Sequence, residues 1–200
     1  MNTPLSDIDL VLASTSTYRR QLLARLGVAA RQAAPQVDET PEPGELPAAL
    51  ARRLACAKAR ALAHVNPGAL IIGSDQVADC AGETLGKPGD ADNARVQLRA
   101  SSGRVVTFHT AVCLIDTRAA EAIERVAIDT TRVAFRTLSD EEIARYVDRE
   151  RPFDCAGSFK SEGLGVTLFE SIESNDPTAL IGLPLIALCR LLREASVDPV

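Results

Sequence analysis

A chain of 200 residues is long enough for one domain with a sizeable core, and 46% hydrophobic with 24% charged residues is the balance of an ordinary globular protein. A formal charge of −5 argues against a nucleic-acid partner, which would meet a basic face. The opening MNTPLSDIDL has no basic or apolar leader region, and the longest apolar run, Ala179 to Cys189, is too short to span a bilayer and contains Pro184. A cytoplasmic protein with no membrane partner is therefore expected.

In chain order, Ile8 to Ala13 reads as a buried strand. Thr17 to Leu26 reads as a helix, with Leu22, Leu23 and Leu26 on one face and Gly27 as its stop. The proline-rich, acidic stretch from Ala34 is a loop, after which Pro47 opens a long helix to about Val65. Ala69 to Val77 is a second buried strand ending in polar residues. Beyond the turn-like ADCAGE and the LGKPGD segment, Asp90 caps a helix that runs to about Ser101 and closes at Gly103. Arg104 to Asp116 and Ile123 to Arg136, rich in Val, Ile, Thr and Phe, look like an antiparallel pair. Ser139 and Glu142 form a capping box for a helix to about Asp148. Phe153 to Gly165 is a Gly-rich loop, Val166 to Ser171 a strand, and Leu183 to Glu194 a terminal helix begun by Pro184. Strands and helices mix without strict alternation, which predicts an α/β fold with a mixed sheet and flanking helices.

Several positions carry chemistry. Ser14, Ser16 and Arg19 stand where a strand hands over to a helix N-terminus, a place where backbone N–H groups, hydroxyls and a guanidinium can converge on a phosphate. The plain alternative is an N-cap with solvated arginines. Asp75 follows the apolar ALIIGS, so its carboxylate is placed at a strand's C-terminal end, able to hold a divalent cation or accept a proton from water, or simply to cap a turn. Asp38 and Glu39 lie in the acidic loop. Of 22 basic residues only Lys58, Lys87 and Lys160 are lysine, the compact charge suited to phosphate. Lys58 falls mid-helix, where a surface lysine is the default, and Lys87 lies in GKP, whose Pro88 and short spacing rule out a P-loop. Lys160 and Glu162 share a Gly-flanked loop of the kind that contacts ligands. The five cysteines are scattered and never spaced as C-x-x-C, so neither a disulfide framework nor a zinc site is expected and small buried hydrophobes are. Two histidines, His64 and His109, make a Ser-His-Asp triad or a histidine-rich metal site poor readings.

The order of these motifs is the specific signal. A-S-x-S-x-x-R from Ala13, V-D-E-T from Val37, L-A-x-x-K-A from Leu54, S-D-Q-V from Ser74, G-K-P from Gly86, A-G-S-F-K-S-E-G from Ala156 and I-G-L-P-L from Ile181 together resemble the Maf family of nucleoside triphosphate pyrophosphatases, from Leu10 to about Leu192. Thr17 departs from the pattern, in which proline often follows the second serine. The resemblance implies a single domain whose two lobes flank a central cleft, of the inosine-triphosphatase-like type, frequent dimers, a divalent cation such as Mg, Mn or Co, and hydrolysis between the α- and β-phosphates. It implies Asp75 as the group that activates water or holds metal, Glu39 beside it at the metal, and Arg19, Lys58 and Lys87 on the phosphates, where the helix N-terminus already places Ser14 and Ser16. Tyr18, Gln76 and Glu162 resemble the branch that acts on 7-methyl-GTP, since the dTTP and UTP branch usually carries Arg, Thr and Gln there. A cationic purine suits an aromatic face, and a carboxylate accepts the two N–H donors of guanine's edge. The alternatives are the same chemistry on dTTP, UTP, CTP or another modified nucleotide, and a nucleotide-binding regulator of cell division without catalysis. A sugar-phosphate phosphatase has no matching signature.

Overall fold

The computed structural model describes residues 3–200. The strands are β1 (Thr3–Pro4), β2 (Leu10–Ala13), β3 (Arg31–Ala33), β4 (Leu70–Cys80), β5 (Glu83–Leu85), β6 (Val105–Asp116), β7 (Ile123–Phe135), β8 (Phe169–Glu173) and β9 (Val197–Asp198). The helices are α1 (Thr17–Ala24), α2 (Pro47–Ala63), α3 (Ala91–Ser101), α4 (Asp140–Glu150) and α5 (Leu185–Glu194). The main sheet has the order β3-β2-β4-β6-β7-β8, with β5 pairing to β4, and β1 pairs with β9. β2 runs parallel to both β3 and β4, whereas β5 and β8 pair antiparallel to β4 and β7, so the sheet is mixed as expected.

The chain divides into two compact units. The first holds the residues up to Asp75, Thr110–Asp129 and Asp176–Val200. Alternation along its strands sorts side chains to two faces. On one face Leu10, Leu12, Leu70, Ile72, Val112 and Leu114 join Leu22 and Leu23 of α1 and Leu188, Leu191 and Leu192 of α5 in a continuous apolar core. The other face of β4 meets α2 closely at Gly73, where a Cβ would stand 2.1 Å from the Ala55 carbonyl oxygen and 2.7 Å from the Ala59 nitrogen. Glycine is required there for lack of space. In the second unit, Gln76–His109 and Thr130–Asn175, α3 and α4 cover a cluster in which the rings of Phe108, Phe135, Phe159 and Phe169 meet edge to face at 4.8–5.7 Å.

Three local expectations need correction, and one strand goes unforeseen. β4 does not end at Val77 but runs to Cys80, because Ala81 and Gly82, at φ of 55° and 90°, form a two-residue hairpin turn into β5. Asp75 thus lies mid-strand, two residues beyond the Ala13 and Gly73 pair that ends the ladder with β2. β8 starts at Phe169 rather than Val166, because the Gly165 N–H donates to the Lys160 carbonyl at 3.1 Å and draws Leu164–Leu168 into a 3₁₀ turn. The short β3, with sequence RQA, has no apolar alternation to announce it.

Candidate active site

Each phosphate-handling candidate of the first unit is placed by an identifiable local cause. β2 ends at Ala13 and α1 begins at Thr17, so Ser14 and Ser16 occupy the turn between them. The Ser16 hydroxyl accepts the Arg19 N–H at 3.3 Å as N-cap, and the Ser14 hydroxyl accepts the Ser16 N–H at 3.1 Å. Ser16 is therefore a cap as the plain reading had it, but Arg19 is not a solvated side chain. Its Nε donates to the Gly182 carbonyl at 2.8 Å and its Nη1 lies 3.4 Å from the Ser14 hydroxyl. Burial lowers the Arg19 pKa, while the charges of Asp75 and Glu39 pull it back up.

Lys58 corrects the mid-helix default. Ala51, Ala55 and Lys58 recur at helical spacing on α2, and Lys58 is only 6% exposed. Residues Gly73 and Asp75 share one face of β4, so the helix that packs on Gly73 delivers Lys58 to Asp75. The ammonium lies 2.6 Å from Asp75 Oδ1 and 2.7 Å from Glu39 Oε1, bridging a carboxylate from a strand and one from the acidic loop. Burial pushes the Asp75 pKa above the ordinary aspartate range, against the pull of Lys58 and Arg19. A buried ion pair adds little stability, because desolvation offsets most of the attraction, so stability alone gives no reason for charges to be gathered here. Two guanidinium and ammonium cations with two carboxylates make a quartet of zero formal charge. Oxygen-only anionic donors are the set that hard divalent cations take, so Glu39 and Asp75 fit the implied metal.

Sequence reading missed the partners that hold this group. Ser74, fully buried on the face of β4 opposite Asp75, has its hydroxyl 2.8 Å from the Ala111 carbonyl and 3.0 Å from that of Gly182. Gly182 needs glycine at φ 125°, and its carbonyl receives both Ser74 and Arg19. Asp176 pins the loop before α5 by accepting the Thr178 N–H at 3.0 Å and the Ile186 N–H at 2.6 Å. The I-G-L-P-L motif signalled the loop without revealing what its carbonyl does.

The remaining candidates belong to the second unit, Tyr18 excepted, which is partly buried beside Arg19 at the start of α1. Gln76 follows Asp75 on β4, so its side chain points to the opposite sheet face. Lys87 is exposed in a loop fastened to α3 by Gln97 Nε2 on the Gly86 carbonyl and Asn93 Nδ2 on the Pro88 carbonyl, each at 3.1 Å. The loop of Lys160 and Glu162 is braced by α4: the Tyr146 hydroxyl accepts the Lys160 N–H at 3.1 Å, the Glu150 carbonyl accepts Lys160 Nζ at 3.0 Å, and the Glu150 carboxylate accepts the Leu164 N–H at 2.8 Å. Lys160 is thereby a loop anchor, and Glu162 is left exposed at the tip.

A model of the family described as "Maf-like protein" matches residues 9–195. The chain belongs to the Maf family. This Maf protein is 59% identical over 186 residues to the 7-methyl-GTP pyrophosphatase of Xanthomonas oryzae pv. oryzae, covering 93% of this chain and 96% of that one. It is 57% identical over 184 residues to the 7-methyl-GTP pyrophosphatase of Aromatoleum aromaticum, covering 92% and 94% of the two chains. Among solved structures, the Staphylococcus aureus Ham1 protein aligns over 94% of this chain and 99% of its own at 13% identity, with a TM-score of 0.49. No helix among the described residues is long and apolar enough to cross a membrane.

Proposed function

We propose that this chain is a nucleoside triphosphate pyrophosphatase that prefers 7-methyl-GTP, releasing 7-methyl-GMP and pyrophosphate. The observation that carries the catalytic part is the contact of Lys58 with both Asp75 and Glu39, beside the partly buried Arg19. The names of its close relatives support the choice of nucleotide.

In this reading Asp75 accepts a proton from the attacking water, a new bond forms from that oxygen to the α-phosphorus, and the bond from the α-phosphorus to the bridging oxygen breaks. Pyrophosphate leaves with that oxygen. Arg19, Lys58 and Lys87 hold the phosphate oxygens, and the hydroxyls and N–H groups of Ser14 and Ser16 complete the cradle. Glu39 and Asp75 would hold a divalent cation, which supplies charge neutralisation to the phosphates. The base is assigned to Tyr18, Gln76 and Glu162 on chemical grounds: an aromatic face for a cationic ring and a carboxylate for guanine's N–H donors. A cytoplasmic, dimeric protein acting on a small-molecule pool is part of the same proposal.

The test is pyrophosphate release from equal concentrations of 7-methyl-GTP, GTP, dTTP, UTP and CTP with Mg, Mn or Co. Preference for 7-methyl-GTP, lost in Glu162→Gln, and a fall of about 100-fold or more in Asp75→Asn are the expected results. A pyrimidine preference overturns the base assignment. Full turnover in Asp75→Asn removes that residue from the chemistry, and no release from any nucleotide leaves the binding regulator.

A further inference from the structure

Two cysteines that the sequence separates widely meet in the first unit. Cys56 lies on α2, Cys113 on β6 and Glu124 on β7, and one ligand atom from each of the three lies within 4.8 Å of the other two. Both cysteines are buried, at 6% and 0% exposure, with their sulfurs within 4.8 Å of each other. The Glu124 carboxylate lies within the same 4.8 Å of the Cys56 sulfur and accepts Arg60 Nε and Nη2 at 2.7 Å each. With 30% of its side chain exposed, Glu124 forms the side of the cluster open to solvent.

Zinc with two thiolates and one carboxylate has bond lengths of about 2.3 and 2.1 Å, which set ligand separations of roughly 3.5–3.8 Å in a tetrahedron. The triangle seen here needs to contract by about 1.3 Å at most to match. Two thiolates and a carboxylate around a divalent ion leave one negative charge, and Arg60 is already paired with Glu124 to offset it. We propose that Cys56, Cys113 and Glu124 bind a zinc-class divalent cation, with water in the fourth position. Each thiol gives its proton to solvent as its sulfur bonds to the ion. Thiolate sulfur selects a softer ion than the oxygens of Glu39 and Asp75, so the two places take different metals.

The test strips the reduced protein of metal with a chelator and titrates it with cobalt, reading the near-ultraviolet charge-transfer band that arises only when thiolate binds cobalt. Cobalt held by carboxylates elsewhere gives no such band. The expected result is a band that saturates at one ion per chain and is bleached by zinc. Cys56→Ser and Cys113→Ser should each reduce it strongly, and the double variant should remove it. Glu124→Gln alters a partly exposed side chain and keeps the fold testable if the cysteine variants misfold. It should keep the band while weakening cobalt binding several-fold. No thiolate band in the parent protein, a band unchanged in the double variant, or equal affinity in Glu124→Gln overturns the site. A Cys56–Cys113 disulfide on mild oxidation, with no band from the reduced protein, would make the pair a redox element instead and likewise overturns it.

Discussion

Gly73→Ala tests the packing that brings Lys58 to Asp75. The added Cβ would stand 2.1 Å from the Ala55 carbonyl oxygen and 2.7 Å from the Ala59 nitrogen, and both are backbone atoms that no rotamer change can move. α2 must therefore retreat from β4 by about 1 Å before ordinary contact is restored, and the helix carries Lys58 with it. Overpacking of this kind costs about 3 kcal/mol, which for a chain of this size is a fall of roughly 6–12 °C in Tm. The 2.6 Å contact of Lys58 Nζ with Asp75 should lengthen, so kcat should fall even where the variant is fully folded. The assay is thermal unfolding followed by circular dichroism, with pyrophosphate release measured well below Tm. Ala59→Gly in the same background trims only a Cβ at 3.0 Å and should not restore stability, because the nearer atoms are main chain. A Gly73→Ala protein with parental Tm and turnover would refute the account of how the site is held.

Lys58→Met should move the acid limb of the pH–rate profile upward. Burial raises the Asp75 pKa and Lys58 lowers it; the base acts as the carboxylate, so activity is present above that pKa and lost as pH falls through it, and removing the ammonium shifts the loss to higher pH. An unmoved limb in steady-state profiles would exclude Asp75 as the titrating group. Arg19→Lys cannot reproduce the Nε bond to Gly182, and kcat/KM should drop about 10- to 100-fold with little change in Tm, as measured by steady-state kinetics and unfolding. Glu150→Ala removes the acceptor of the Leu164 N–H, worth about 1 kcal/mol, and should raise KM for the preferred nucleotide several-fold while kcat stays close to the parent value. Glu45 is held down to about 2 by Arg53. The stability it contributes is intact above the ordinary glutamate range and lost as pH falls toward that value, so Glu45→Gln should flatten the acid side of a Tm-against-pH curve.

What the sequence made legible is what short-range physics decides. The Ser139 and Glu142 capping box forms both of its reciprocal bonds, Asp90 caps α3 through the Asn93 N–H, and Pro47 opens α2. The order of motifs marks Arg19, Lys58 and Asp75, and Lys58 joins Asp75 to Glu39 while Arg19 feels the charge of both carboxylates. Long-range placement was not legible. A lysine in a helix looks the same whether it faces water or a carboxylate, and only the contact of α2 with Gly73 decides that for Lys58. The hydrophobic run before Asp75 shows a strand but not its length, because turn residues at Ala81 and Gly82 do not say whether the strand continues up to them. The cysteines looked unrelated because their nearness arises from separate elements, α2 and β6, folding onto one another. The same holds for Ser74 and Gly182, whose bond joins the strand to the loop before α5.

The two tyrosines have a spectroscopic consequence. The chain has no tryptophan and two tyrosines, Tyr18 in the first unit and Tyr146 in the second, so its tyrosine emission comes from a single fluorophore in each. Tyr18 precedes Arg19 on α1, whereas Tyr146 is 5% exposed with its hydroxyl on the Lys160 N–H. Tyr18→Phe silences the first unit and leaves the brace of the Lys160 loop as the sole emitter. Tyr146→Phe does the reverse. Nucleotide titrations of these two variants would thus separate the optical response of each unit without any attached dye.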